Sequence, residues 1–107
     1  MADNSKLVAG LREYADYLEA HPEVIAPDSE IKSYGIWTTE EAAALLASFP
    51  SAKIVDASEK IDYIRQSFGA LTVEYVLRKD LLSEPAIENG KVVWKLKRIV
   101  KSAADHA

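Results

Sequence analysis

The chain has 107 residues, of which 49% are hydrophobic and 28% charged, and its formal net charge is −4. This composition predicts one globular domain and excludes an intrinsically disordered or membrane-embedded class of protein. The absence of cysteine excludes disulfides, thiolate catalysis and cysteine-ligated metal centres. No apolar run approaches the roughly 20 residues that span a bilayer, and the N-terminus lacks the layout of a signal peptide, so we expect a cytoplasmic protein without membrane partners.

The first predicted element is a helix over residues 5–21. Its apolar residues recur at helical spacing and form one stripe, while the other face is charged; the stripe consists of Leu7, Leu11, Tyr14, Ala15 and Leu18. Pro22 disfavours helical geometry at the preceding residue, so the helix should end there. His21 then lies at a helix C-terminus, where an imidazole complements the helix dipole, and we expect it to have a structural role.

A strand is predicted over residues 31–37, because the segment is aromatic and extended in character, although Gly35 indicates a bulge or a close approach of another backbone. The next helix is predicted over residues 39–49 and has the clearest start signal in the chain. Thr38 can cap it, and Glu41 three residues later can bond back to the amide of the cap residue.

Residues 53–100 are predicted to form strands and a hairpin, because the apolar period shifts from about 3.6 to 2. Strands are expected over residues 53–56, 60–68 and 71–77, with Gly69 in the turn between the last two.

The Asn89–Gly90 pair predicts a type I′ hairpin turn, since both central residues of that turn need positive φ. Pro85 in the first arm indicates a sheet edge. On the second arm the alternating residues Val92, Trp94, Leu96 and Val100 share an apolar face, so we expect Trp94 to be buried and the hairpin to belong to the fold.

Together these elements predict an α+β fold. Two amphipathic helices are expected to pack on one face of a mostly antiparallel sheet of four to six strands, with a β-hairpin at the C-terminus, because this arrangement buries both helical stripes. Residues 1–107 should form a single domain.

Two segments carry a family resemblance: LREYADYLEAHPEV from Leu11 to Val24, and TEEAAALL from Thr39 to Leu46. They resemble the opening of a group of small, largely uncharacterised proteins of actinobacteria and their phages, with the pattern LR-x-LADFLEAHPEL followed by T-x-EEAAAL. The similarity covers about the first half of the chain. It implies an accessory protein of a phage or mobile element in the cytoplasm of a bacterial host, and it carries over no catalytic residue.

The sequence motifs of common enzymes are missing. The four glycines form no phosphate-binding loop, and there is no metalloprotease, EF-hand or nucleophile-elbow motif. Glu40 and Glu41 open a helix, and the acidic residues between 56 and 62 surround a turn, so both groups have structural explanations. We therefore expect a non-enzymatic protein without catalytic residues, cofactor or metal site.

Aromatic residues are the candidates for contact with a protein partner. Tyr17, Tyr34 and Trp37 are the residues we select, because tyrosine and tryptophan are enriched at protein interfaces. Partial burial at the rim of a small core is the alternative interpretation for each of them. The leading hypothesis is protein–protein binding, with inhibition of a host factor as one open outcome and homo-oligomerisation as another.

The alternative function is nucleic-acid binding by the basic C-terminal hairpin. Residues 91–101 hold five basic residues and no acidic one, whereas residues 1–90 hold 8 basic and 16 acidic residues. The five are Lys91, Lys95, Lys97, Arg98 and Lys101. Basic residues and a nearby Trp94 can engage phosphates and a stacked base. Lysines on an edge strand also prevent edge-to-edge pairing, and we favour this interpretation.

Overall fold

The computed structural model describes residues 3–26 and 29–105 of the chain. Within these ranges the elements follow in the order α1 (Ser5–Ala20), β1 (Glu30–Ser33), α2 (Thr39–Ser48), β2 (Lys53–Asp56), β3 (Ile61–Phe68), β4 (Leu71–Arg78), α3 (Lys79–Leu82), β5 (Ser83–Glu88), β6 (Lys91–Leu96) and α4 (Arg98–Asp105). The fold is α+β, as the sequence predicts.

Strands β1 to β4 form one sheet in the order β1-β4-β3-β2. Strand β1 is parallel to β4, and the β2–β3 and β3–β4 pairs are antiparallel. The long β3–β4 pair turns at Gly69, whose φ of 62° is one that glycine adopts readily. The predicted turn at this glycine is therefore confirmed, and the sheet is mostly antiparallel, as expected.

The core lies on one face of this sheet, beneath α2 and α4. It joins residues from both helices, from α3 and from the two central strands; these are Ala42, Leu46, Ile64, Leu77, Leu81, Leu82 and Val100. Two helices therefore cover one face of the sheet, as predicted, but the second of them is α4 and not the N-terminal helix.

Helix α1 does not pack as predicted, although its bounds agree with the prediction. None of its residues is buried, and Leu7 and Tyr14 in its apolar stripe are 62% and 43% exposed. The described chain is elongated, with extents of 59 × 29 × 21 Å and a radius of gyration of 16.9 Å, against about 13 Å for a compact domain of this length. The expected packing of this helix on the sheet is wrong.

The face of the sheet opposite the core offers α1 little apolar surface, because charged side chains cover its centre. Glu74 lies on this face and is 2% exposed, and Arg65 donates a hydrogen bond to its carboxylate at 2.5 Å, which compensates the burial of the charge. Lys32 lies 4.0 Å from the same carboxylate, and its ammonium group is 5.9 Å from the centre of the Tyr63 ring. Long charged side chains and their aliphatic stems thus cover the centre of this face.

Strand β1 is shorter than predicted and ends at Ser33, so the prediction of a strand through residue 37 is wrong for its last four residues. The N–H of Gly35 donates to the side-chain hydroxyl of Ser33 at 3.4 Å. The N–H of Trp37 donates to the carboxylate of Glu41 at 3.1 Å. Side chains therefore take up backbone donors that a longer strand would have used in its ladder.

Two helices interrupt the region that the sequence predicts to be strand from 53 to 100. Helix α3 follows β4 directly, and the backbone N–H of Lys79 donates to the carbonyl of Lys60 at 2.8 Å. Strand β6 ends at Leu96, and α4 follows. Val100 and Ala103 of α4 both contact the core, and their spacing is helical, so the alternation predicted through Val100 does not continue past the strand.

The C-terminal hairpin of β5 and β6 forms a separate two-stranded sheet. Asn89 and Gly90 have φ values of 51° and 75°, which confirms the positive φ predicted for the turn. Pro85 lies in β5 and pairs with Trp94. Trp94 is 46% exposed and Val92 more so, so the predicted burial of Trp94 is wrong: the apolar face of the hairpin extends beyond the core.

No helix within the described ranges combines the length and the apolar character needed to cross a membrane.

Candidate protein-binding surface

The start of α2 determines where Trp37 lies. Thr38 is the N-cap residue, and its hydroxyl accepts a hydrogen bond from the N–H of Glu41 at 3.1 Å, which confirms the predicted cap. The carboxylate of Glu41 accepts from the N–H of Trp37, one residue earlier than the predicted cap amide. These reciprocal bonds hold the backbone just before the helix, because each satisfies a donor that the helix itself cannot satisfy.

Tyr34 and Trp37 lie at the mouth of one groove, which we call the Trp37 groove. The groove lies beside the end of β4 beyond the last residue that pairs with β1, and its volume is about 180 Å³. Its lining residues come from the segment after β1, from β3 and β4, and from α3; they are Tyr34, Ile36, Trp37, Ile61, Val76, Leu77, Arg78 and Leu81.

The groove is mostly apolar and has room for one large side chain. Seven of the eight lining residues are aliphatic or aromatic, and a cavity of about 150 Å³ in another protein holds benzene. The eighth, Arg78, forms a two-point ion pair with Asp80 at 2.9 and 3.1 Å. An apolar side chain entering the groove would therefore meet an apolar lining and one charged side chain that already has a partner.

The two aromatic residues of the groove leave a large apolar area in water. Trp37 is 73% exposed and Tyr34 is 64% exposed. Aromatic side chains of this size bury about 150–250 Å² when they are covered, and they dominate the energetics of many interfaces. Covering them with a partner would remove this area from water, so the groove has the composition of a binding surface.

Tyr17 lies apart from the other two aromatic candidates. It belongs to α1 and is not among the residues that line the Trp37 groove. Its ring stacks on His21, with 4.1 Å between ring centres, and Nδ1 of His21 lies 3.0 Å from the carbonyl oxygen of Tyr17. Because a carbonyl oxygen can only accept, Nδ1 carries the hydrogen, and this contact supports the structural role predicted for His21.

The basic residues of the alternative hypothesis lie on different elements. Lys91 and Lys95 lie in β6, and the ammonium group of Lys95 forms an ion pair with the carboxylate of Glu88 at 3.1 Å. Lys97 follows the strand and donates to the hydroxyl of Thr39 at 3.2 Å. The remaining two, Arg98 and Lys101, belong to α4. Helix formation and local partners thus divide the basic stretch between the hairpin and the helix layer.

A buried ionic cluster joins α3 to the sheet. The ammonium group of Lys79 donates to Asp62 at 2.6 Å and to Asp56 at 2.8 Å. Lys79 and Asp62 are buried, whereas Asp56 is exposed. Sequence reasoning did not identify this cluster, although one signal was available: Asp62 alternates with the core residue Ile64 and so shares its face of β3.

The charge state of Lys79 limits the chemistry of this cluster. Burial lowers the pKa of the Lys79 amine, but the hydrogen bonds and negative charges of Asp56 and Asp62 outweigh burial and raise it. An amine nucleophile needs the opposite change, a lowered pKa that frees its lone pair. The cluster therefore holds a protonated lysine that links α3 to β2 and β3.

Trp94 and Lys79 also line a broad cleft of about 760 Å³ between the hairpin and the β2–β3 turn. Most of its other lining residues are polar and belong to that turn, from Asp56 to Lys60. Among the described residues, no group of three or more His, Asp or Glu side chains is placed to hold a metal ion.

Comparison with protein-family models, with curated proteins and with solved structures gives no match to this chain.

Proposed function

We propose that this protein acts by binding another protein, and that the partner inserts an apolar side chain into the Trp37 groove. The observation that carries the proposal is the exposure of Trp37 and Tyr34 at the mouth of an apolar groove of about 180 Å³. Exposed aromatic residues around a pocket for an anchor side chain are the usual centre of a protein interface.

The way in which Trp37 is held supports the same function. Its backbone N–H is bonded to Glu41, and the helix that follows is anchored in the core through Leu46. A binding residue on a rigid element loses less conformational freedom when the partner arrives than one on a mobile loop. The Trp37 groove is thus prepared for binding before a partner is present.

The charged cluster around Lys79 does not favour catalysis as the function. Lys79 is protonated and bonded to two carboxylates, so its described contacts leave it no free lone pair for covalent chemistry. The sequence resemblance supplies only the setting of the proposal, an accessory protein of a phage or mobile element in an actinobacterial cell. Inhibition of a host factor is one open outcome of the binding.

The experiment is an affinity capture from an actinobacterial lysate, followed by measurement of the dissociation constant with the purified partner. Trp37→Ala should weaken binding at least about tenfold, since the loss of an interface hot spot costs more than about 1.4 kcal/mol. Trp94→Ala is the matched control, because Trp94 is also partly exposed but lies on the hairpin. It should leave the dissociation constant within about twofold of wild type.

Two outcomes would count against the proposal. Equal binding by Trp37→Ala and wild type would remove the groove as the binding surface. Loss of all captured material after nuclease treatment would indicate nucleic-acid binding instead. In that case the affinity should fall steeply with salt and should be lost on changing Lys91 and Lys101 to glutamate.

A further inference from the structure

Four large apolar residues of helix α1 recur at spacings of four, three and four. These residues are Leu7, Leu11, Tyr14 and Leu18. The first three are exposed, and Leu18 is partly exposed. Such spacing places them along one seam of the helix, which is the pattern by which two helices pack side by side in a coiled coil. Val8 and Ala15 lie next to this seam and widen it.

The helix also lacks the support that would stabilise it alone. It has 16 residues, none of them buried, and its N-cap residue Asn4 makes no side-chain capping bond. Isolated helices of this length are marginal in water, and most helices in proteins depend on the packing of an apolar face. The seam therefore indicates a partner helix, and the described part of the chain does not supply one.

The spacing of the seam is symmetric about the middle of α1, which runs from Ser5 to Ala20, so a second copy in the antiparallel orientation matches it along the whole helix. Charges outside the seam favour the same orientation. The N-terminal half of the helix carries Lys6 and Arg12, and the C-terminal half carries Glu13, Asp16 and Glu19. An antiparallel pair places the basic half of each helix beside the acidic half of the other. A parallel pair would place like charges side by side, and it would also align the two helix dipoles unfavourably.

We propose that the protein forms a homodimer through antiparallel pairing of α1 with α1 of a second copy. The seam of a coiled coil consists of alternating a and d positions of the heptad, and in an antiparallel pair each a position faces a d position of the other helix. Leu7 then packs against Leu18 of the second copy, and Leu11 against Tyr14 of the second copy. Twofold symmetry repeats both contacts, which gives four layers, and the same surface serves both copies, as in most homodimers.

The size of this interface predicts a weak dimer. A helix of 16 residues is about 24 Å long, so its seam buries less than the roughly 1,600 Å² of a standard interface. We expect a dissociation constant of about 1–100 µM, in the range of small or transient interfaces. No residue of α1 lines the Trp37 groove, so this proposal does not depend on the proposed partner binding.

Cysteine crosslinking tests both the pairing and its orientation, because the natural chain contains no cysteine. Leu7→Cys and Leu18→Cys are prepared as separate variants and oxidised either alone or as an equal mixture. The antiparallel dimer brings Cys at these two positions together only between different variants, so the mixture should form a disulfide-linked dimer at least about tenfold faster than either variant alone.

A matched pair on the outer face of the helix controls for random collision. In the antiparallel pair, position 9 of one helix lies level with position 16 of the other, just as position 7 lies level with position 18. Ala9→Cys and Asp16→Cys lie away from the seam, however, so their mixture should crosslink slowly. Faster crosslinking of Leu7→Cys alone would show parallel pairing and overturn the proposal. Equal rates in the seam and outer-face mixtures would overturn it as well.

Sedimentation equilibrium supplies a measurement without new cysteines. Wild type should dimerise as its concentration rises from about 5 to about 500 µM, a range that brackets small interfaces. Leu11→Glu should remain monomeric, and its urea midpoint should match that of wild type at a protein concentration too low for dimers, because Leu11 has no place in the core. Trp37→Ala should dimerise like wild type, which separates this result from the proposed function. A wild-type chain that stays monomeric throughout contradicts the dimer.

Discussion

Helices α1 and α2 share an amphipathic sequence pattern but have very different surroundings. Both carry an apolar stripe and some charged residues, which in α2 are Glu40 and Glu41 of its first turn, and a proline follows each helix. Helix α2 has a side-chain cap and buries Ala42, Ala43 and Leu46, whereas α1 has no side-chain cap bond and buries nothing. The difference shows that an apolar stripe predicts that a helix packs, but does not say against which surface.

The largest expected effect belongs to the packed body that contains α2. Lys79→Met should lower the free energy of unfolding by about 3–5 kcal/mol, because it leaves Asp62 buried without its cation. Lys6→Met on the exposed helix α1 should change it by less than about 0.5 kcal/mol. Urea unfolding of the two variants measures both values. Similar small effects would show that the cluster does not stabilise the body.

The pH dependence of stability gives a second signature of the same cluster. The pKa of Lys79 is raised in the folded state, so its contribution is complete below the unfolded pKa of about 10.4 and is lost as pH rises through the folded pKa. Wild type should therefore lose more stability than Lys79→Met above about pH 10.4. Parallel stability profiles of the two proteins in this window would contradict the assignment.

Matched leucines test the contrast between the two helices directly. Leu46→Ala in α2 should cost about 2–5 kcal/mol, because Leu46 is fully buried in the core. Leu11→Ala in α1 should cost less than about 0.5 kcal/mol when measured at a protein concentration too low for dimers. A large cost for Leu11→Ala in the monomer would show that α1 packs on its own chain, which would remove the contrast.

The helix caps give the smallest expected difference. Thr38→Ala should cost about 1 kcal/mol, since it removes the bond to the N–H of Glu41. Asn4→Ala at the start of α1 should leave the urea midpoint within error, because Asn4 makes no such bond. If Thr38→Ala left the midpoint unchanged, the capping assignment would be wrong.

Elements with local signals were predictable from the sequence. The cap at Thr38, the turn at Gly69 and the Asn89–Gly90 turn each depend on a few adjacent residues, and each appears where the sequence predicts it. Whether α1 packs depends on the surface that the rest of the chain offers it. The helical conformation of Arg98 to Lys101 depends on the contact of Val100 with the core. Neither dependence is visible in a short window of sequence.

The candidate site also has a part that was predictable from the sequence and a part that was not. Residue type alone selected Tyr34 and Trp37, because tyrosine and tryptophan are enriched at protein interfaces. The groove between them also needs Val76 and Leu81, which the chain brings close only after β4 and α3 have formed. The partners of Lys79 are equally distant in sequence, so its cluster could be suspected from Asp62 but not assigned.

The parallel pairing of β1 with β4 has a consequence for the order of folding. Residues 34–70 lie between the two strands, so their pairing requires a large loop to close, whereas the β3–β4 hairpin forms from adjacent residues. We expect β1 to dock late and to detach first in local opening, so its backbone amides should exchange with deuterium faster than those of β3. Tyr34 directly follows β1, so the groove is complete only while β1 is docked. A partner that fills the groove should therefore slow amide exchange in β1, a strand that it does not need to touch.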